Sequence, residues 1–448
     1  MSNISVRDFK KYMKMGRGCC HVALQSAEDR EKYRETVLRG CLGDLSYDLQ
    51  SEGTRANYVY GLTRYFEDRD YFLIPCIEAY EKIPRRDDFR FAHITELLLR
   101  FAEDGSHLAK SALQRKYDSL LGVLIAKKSS RGYDFERDNF ERICIALVSF
   151  GGADIIAKIA ADMGRLFEKN PKYSAGDFDW FCFVICEQTG KKKLRTLLSR
   201  AARGSRETEV FYRSYLSELA KEESVRASRE DMSAEKISSP EDDSPYTRVR
   251  FIRRADAEQR AAFAAEIHKE PSPEKKAEML IAFSFSGIEF PKPHGAIIEY
   301  SKSENAALRE AAAEVLVGCR SDEVLAYAKE LLPERGSSAF AIEMLIRNYT
   351  EEIRGILSDA LSKIRIGSKD TDGWHGIVTQ IVSAYRAGIK LPKEFILFVY
   401  DNSLCSFCRE SAVRIMAKHR WLGEDIIAEC RFDSNESIVR YINRYYRK

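Results

Sequence analysis

The sequence predicts an all-α protein, an α-solenoid of stacked antiparallel helical hairpins. Apolar residues recur at helical spacing along most of the chain, and the stripes come in pairs separated by short polar breaks. No segment alternates with period two between Asn-Gly or Asp-Gly turns, so no strand competes. Only 11 prolines occur in 448 residues, which favours long helical runs.

The C-terminal half carries the clearest hairpins. Leu308, Ala311, Ala312, Val315, Leu316 and Cys319 make one continuous helical stripe. Arg320 and Ser321 break it. Ser321 is an expected N-cap, with Asp322 and Glu323 in the first turn, where carboxylates suit the helix dipole. A second helix through Val324, Ala328 and Leu331 is expected to stop at Pro333. Phe340, Ala341, Met344 and Leu345 open the next hairpin, and Thr350 is expected to cap its partner, which carries Ile353, Ile356, Leu357, Ala360 and Ile364. Trp374, Ile377, Val378, Ile381 and Tyr385 open a third, whose second helix follows Pro392. Cys408, Ala412, Ile415 and Met416 open a fourth. Equivalent positions Leu308, Ala341, Ile377 and Cys408 recur at intervals of roughly 31–36 residues, within the range of helical repeats.

The middle of the chain repeats the theme more loosely. Ile94, Leu97, Leu98 and Phe101 form one stripe, and Phe140, Ile143, Cys144, Leu147 and Val148 another. Gly151-Gly152 is expected to end that helix, because glycine adopts the left-handed conformation without penalty. Ile155, Ile159, Met163 and Leu166 answer it. Phe178, Phe181, Cys182, Ile185 and Cys186 begin a further hairpin, completed by Leu194, Leu197, Leu198 and Ala201. One hairpin cannot bury both of its apolar faces, so neighbours must stack.

Four regions follow: an N-terminal helical region (1–85), a helical-hairpin array (86–220), a charged flexible linker (221–256) and a second repeat array (257–448). The linker assignment rests on KEESVRASREDMSAEKISSPEDDSPYTRVR, residues 221–250, whose composition is too polar to offset the entropy of ordering; one long loop inside a single superhelix accounts for it equally well.

The stretch SENAALREAAAEVLVGCRSDEVLAYAKELLP resembles bacterial HEAT-like repeats of the armadillo type. Asn305, Leu308, Arg309, Ala312 and Leu316 occupy the polar turn, the Leu-Arg pair and the small core positions of that pattern. SNESIVRYINRYY is similar through Asn435, Ile438, Val439 and Arg440, with an aromatic end that suits a terminal cap. The resemblance covers about 300–448 and is weaker over 86–220; HEAT-like families include scaffolds, nucleic-acid binders and some enzymes, so it does not choose a function.

Net charge is +3, so no polyanion is implied globally and any such partner must be read from local patches. Residues 191–206, KKKLRTLLSRAARGSR, hold seven cations and no acid. Lys192, Lys193, Arg200 and Arg203 cluster opposite Leu194, Leu197 and Ala201, with Arg195 nearby, as a ridge able to track phosphates. Tyr47, Arg55 and Tyr58 mix the side chains that anchor protein interfaces. A capped turn led by Thr54 accounts for the same residues equally well. Arg440 and Arg444 interleave with Tyr441, Tyr445 and Tyr446, which suits base stacking or docking of a last helix. Asp177-Phe178-Asp179-Trp180, just before the basic helix, is similar to the aromatics and carboxylate of HEAT-like DNA glycosylases.

Cys405 and Cys408 form a C-x-x-C, followed by His419 and Cys430. Cys408, Ala412, Ile415 and His419 fall on one helical stripe, so core packing is the expected role and no metal or cofactor is expected. Cys182 and Cys186 share a helix face in the same way. Cys19-Cys20-His21 is expected in a loop. No nucleotide-binding, zinc-protease or hydrolase motif is present. Residues 1–18 hold five basic residues and no apolar block, and no apolar stretch approaches the roughly 20 residues that span a bilayer. The expectation is a non-catalytic cytoplasmic scaffold with reduced cysteines, no membrane contact and a protein partner. A nucleic-acid-binding solenoid of glycosylase-like kind, using the 191–206 helix, is the alternative.

Overall fold

The computed structural model describes the chain except residues 1–3, 27–29, 85–86, 128–133, 232–244, 334–337, 365–370 and 447–448. The protein is all-α, 78% helical, with no strand among the described residues. It divides into two compact units. The first comprises 1–234 together with 423–448, and the second 235–422.

Unit 1 begins with α1 (Val6–Met15), α2 (Cys19–Ser26), α3 (Glu31–Cys41), α4 (Leu49–Glu52), α5 (Ala56–Thr63) and α6 (Asp70–Lys82). It continues through α7 (Asp88–Glu103), α8 (His107–Ala126), α9 (Phe135–Lys169), α10 (Asp179–Thr189), α11 (Lys191–Ala202) and α12 (Arg206–Asp231). One apolar core runs from Phe9 to Tyr215. Its middle is α9, packed against α7, α8 and α12. The expected break is present: Gly152 has φ 59° and ψ −146°, so α9 is two helices joined at a kink. Among the described helices α9 alone is long and apolar enough to cross a bilayer. Phe140, Ile143, Leu147, Ile156, Ile159 and Met163 bury its apolar surface within unit 1, which accounts for that composition as core.

Unit 2 comprises α13 (Pro245–Arg254), α14 (Ala257–Lys269), α15 (Pro273–Ser286), α16 (Gly295–Tyr300), α17 (Ala306–Gly318) and α18 (Asp322–Leu331). It ends with α19 (Ser338–Arg347), α20 (Arg354–Ser362), α21 (Thr371–Arg386), α22 (Lys393–Asn402) and α23 (Ser406–Lys418). The odd-numbered helices pack in chain order, each on the next, from α13 to α23. The even-numbered helices pack against their sequence neighbours. The predicted stripe is internal: Leu308, Ala311, Ala312, Val315, Leu316 and Cys319 are all buried. The Asn305 side chain accepts a hydrogen bond from the Leu308 amide, and Ser321 accepts one from Val324, as the capping pattern required.

Polar side chains lock successive hairpins together. Asn348 Oδ1 accepts from the Ser321 amide at 2.9 Å, while its Nδ2 donates to the Cys319 and Met344 carbonyls at 3.0 Å. Gln380 of α21 donates to the Val317 carbonyl of α17 at 3.3 Å, reaching past α19.

Two boundaries differ from the sequence reading. The second array was expected to reach 448, but α24 (Glu424–Cys430) and α25 (Glu436–Tyr445) belong to unit 1, where α24 packs on α2. Local helical pattern does not encode which core a terminal hairpin joins. Within the expected linker 221–256, α12 continues to Asp231 and α13 starts at Pro245. Residues 232–244 lie outside the described residues.

Candidate functional site

The strongest concentration of reactive side chains lies in unit 2, between α21 and the start of α23. Cys405 is the N-cap of α23 and Cys408 its third residue, so the C-x-x-C spacing places both sulfurs at one helix end. His375, in the first turns of α21, completes the group. The ligand atoms of His375, Cys405 and Cys408 all lie within 4.8 Å of one another. Cys408 Sγ is 3.4 Å from His375 Nε2 and 3.9 Å from Thr379 Oγ1. Hydrogen bonding from Cys408, then from His375, holds the Cys405 thiol down at about 4, against the opposing effect of burial.

The loop carrying Cys405 is tied from behind. Ser403 Oγ donates to the Cys405 carbonyl at 2.8 Å, and the fully buried Arg409 donates to the Ser403 carbonyl at 3.4 Å. Cys405 is buried, whereas Cys408 and His375 are half-buried and reachable from solvent.

This arrangement overturns the single-stripe reading of the cysteines. Cys405 precedes the helix, and Cys408 lies off the core face formed by Arg409, Ala412, Val413 and Met416. His419 and Cys430, which follow the pair in sequence, are elsewhere. His419 is exposed and stacks on Trp421 with ring centroids 4.5 Å apart. Cys430 is buried in unit 1. His375 is 30 residues before Cys405, so only the fold brings it in.

The basic helix is placed as its pattern required. Leu194 and Leu198 of α11 are buried, while Lys192, Lys193, Arg195, Arg200 and Arg203 are exposed. None of these five forms an ion pair among the described residues. On the adjoining α10, Trp180 and Phe183 are 46% and 62% exposed.

The tyrosine–arginine group is internal. Tyr58 donates to the Arg17 carbonyl at 2.7 Å, and Arg55 binds the Lys14 carbonyl and pairs with Glu52 at 2.9 Å. At 6% and 3% exposure, Tyr58 and Arg55 hold the 14–17 turn and offer no outer surface. Tyr47 is half-buried in the segment between α3 and α4. Cys19-Cys20-His21 forms the start of α2, not a loop, and all three are buried.

Asp177 closes a capping box with Ser174, accepting from its amide at 2.8 Å and its hydroxyl at 3.0 Å. Asp179 accepts from the Trp180 amide at 2.8 Å. Both carboxylates therefore do capping work at the start of the α10 hairpin. A cleft of about 290 Å³ lies between α10 and α12, lined by Cys182, Phe183, Cys186 and Tyr215.

A third feature crosses unit 2. Glu314 of α17 and Glu343 of α19 interact electrostatically, and the Glu343 carboxylate lies over Gly376 of α21. Burial, reinforced by Glu314, pushes Glu343 up to about 7. Ser284 of α15 hydrogen-bonds Glu314. The strip thus spans four consecutive odd-numbered helices, and neither carboxylate has a cationic partner among the described residues.

Comparison with known proteins returns nothing that places the chain: no family model, no curated protein and no solved structure matches it.

Proposed function

We propose that the protein is a non-catalytic binding scaffold of HEAT-like, α-solenoid character, and that unit 2 holds a protein partner. The carrying observation is the ordered packing of odd-numbered helices, each on the next, which lays out one continuous helical face. The Ser284–Glu314–Glu343–Gly376 strip gives that face its polarity. Two carboxylates without cations suit a partner segment bearing Lys or Arg, whose charge would offset their desolvation. All 11 cysteines are free thiols, which supports a reducing, cytoplasmic setting.

The test is affinity capture with the full chain and a Glu314→Lys/Glu343→Lys variant. Capture of one dominant basic protein by the wild type, lost in the variant and weakened by salt, supports the reading. Equal recovery by both, or a protein recovered alone, counts against it.

A second reading is carried by α11. Five exposed, unpaired cations beside Trp180 and Phe183 suit a single-stranded nucleic acid, with phosphates on the ridge and bases on the rings. Contact with about five phosphates gives a log–log salt slope of roughly −3.5 for a single strand. Retained binding after Lys192, Lys193, Arg200 and Arg203 are changed to Glu would remove this reading, as would no binding at low salt.

A further inference from the structure

We propose that His375, Cys405 and Cys408 form a zinc site that pins α21 to the first turn of α23, leaving one coordination position open to solvent. The chemistry of the set comes first. Two thiolates and an imidazole are borderline-soft donors that favour Zn²⁺ over the hard cations Mg²⁺ and Ca²⁺.

Geometry comes second. With Zn–S near 2.3 Å and Zn–N near 2.0–2.1 Å, tetrahedral binding separates sulfur from nitrogen by roughly 3.5 Å and sulfur from sulfur by roughly 3.8 Å. The observed Cys408 Sγ to His375 Nε2 distance is 3.4 Å, and all three donors fall within 4.8 Å of one another. Small rotations bring such a set onto one ion. A group of packed core residues has no reason to converge in this way.

Support and access come third. Cys405 sits on a loop clamped by Ser403 and Arg409, so the site is held before the metal arrives. The half-buried Cys408 and His375 give the ion an entry route and face the open position outward. Water fills that position in the free protein, as in three-ligand zinc sites generally. The site joins two successive hairpins of unit 2, where stability depends on nearest-neighbour contacts.

The test is titration of the full chain, reduced and stripped of metal, with Co²⁺ alone. One equivalent should give sulfur-to-cobalt charge-transfer absorption and intense tetrahedral d–d bands, both erased by Zn²⁺. Cys408→Ser and His375→Ala should each weaken binding by more than about 100-fold, beyond the loss caused by removing an outer hydrogen-bond partner. Both positions are half-buried, and a melting curve for each variant confirms that it folds. Cys182→Ser, in unit 1, should leave the spectrum unchanged. Zn²⁺ should also slow amide exchange in residues 405–409. The proposal is overturned by weak octahedral bands, or by binding that survives Cys408→Ser. It is equally overturned by a chain that binds no cobalt, whether Cys405 and Cys408 stay reduced or oxidise to a disulfide.

Discussion

Arg17 and Glu429 form a buried, two-pronged ion pair, with Nε to Oε1 at 2.6 Å and Nη2 to Oε2 at 2.9 Å, between residues 412 positions apart. Their side chains are 6% and 1% exposed. The pair fastens α24 to the turn after α1, and the Ser434 amide donates to the Gly16 carbonyl at 2.9 Å beside it. The approach is close enough that a Cβ on Gly18 would lie 1.9 Å from the Glu429 carbonyl oxygen. Removing one partner strands the other as a buried charge. Glu429→Gln should therefore cost about 3–5 kcal/mol of unit 1 stability, read from urea unfolding. An Arg17→Met/Glu429→Leu pair should recover much of that loss. If the double variant is as unstable as the single one, the charge argument fails.

His21 predicts an acid-sensitive unit 1. Its imidazole stacks on Phe432 and meets Tyr58 and Tyr65 edge-on. Burial lowers it from 6.5 to about 4. The unfolded chain then binds a proton that the folded chain refuses, so this contribution is complete above about pH 6.5 and is lost as pH falls toward 4. The loss should reach roughly 2–3 kcal/mol. His21→Phe should keep the ring contacts and flatten that part of the profile. Hydrogen exchange resolved to residues 1–80 is the measurement, and an unchanged profile would refute it.

Glu343 predicts the opposite slope in unit 2. Its carboxyl is raised from 4.5 to about 7, so the folded chain holds a proton that the unfolded chain has released. Stability should fall as pH rises from about 4.5 to 7 and stay lower above that. Glu343→Gln should gain about 1–2 kcal/mol at pH 8 and nothing at pH 4, allowing for the group's partial exposure. A gain equal at both pH values would point to packing instead.

Asn348 predicts a local weak point in unit 2. Asn348→Ala leaves the Ser321 amide and the Cys319 carbonyl without the partners described above. A cost of about 2–3 kcal/mol is expected in thermal or urea unfolding of unit 2. Asn348→Asp keeps the acceptor for Ser321 but sets a buried carboxylate against the Cys319 and Met344 carbonyl oxygens, so at neutral pH it should cost at least as much as Asn348→Ala.

Helical spacing identified the buried faces well because burial and periodicity are the same physical fact on a helix. Leu308 to Cys319, the Ser321 cap and the Gly152 break all follow from it. The exposed α11 cations were legible for the same reason: an apolar stripe fixes the opposite face. The Tyr58–Arg55 group was not, because amphipathic side chains serve equally at a surface and inside a polar knot. Nothing local distinguishes the two.

Residue order by itself determined helix, hairpin and burial pattern, since these depend on neighbours three or four positions away. Only the tertiary structure decided that 423–448 returns to the first unit and that His375 meets the C-x-x-C. Both depend on contacts between segments far apart in the chain, and for those a helical period carries no address.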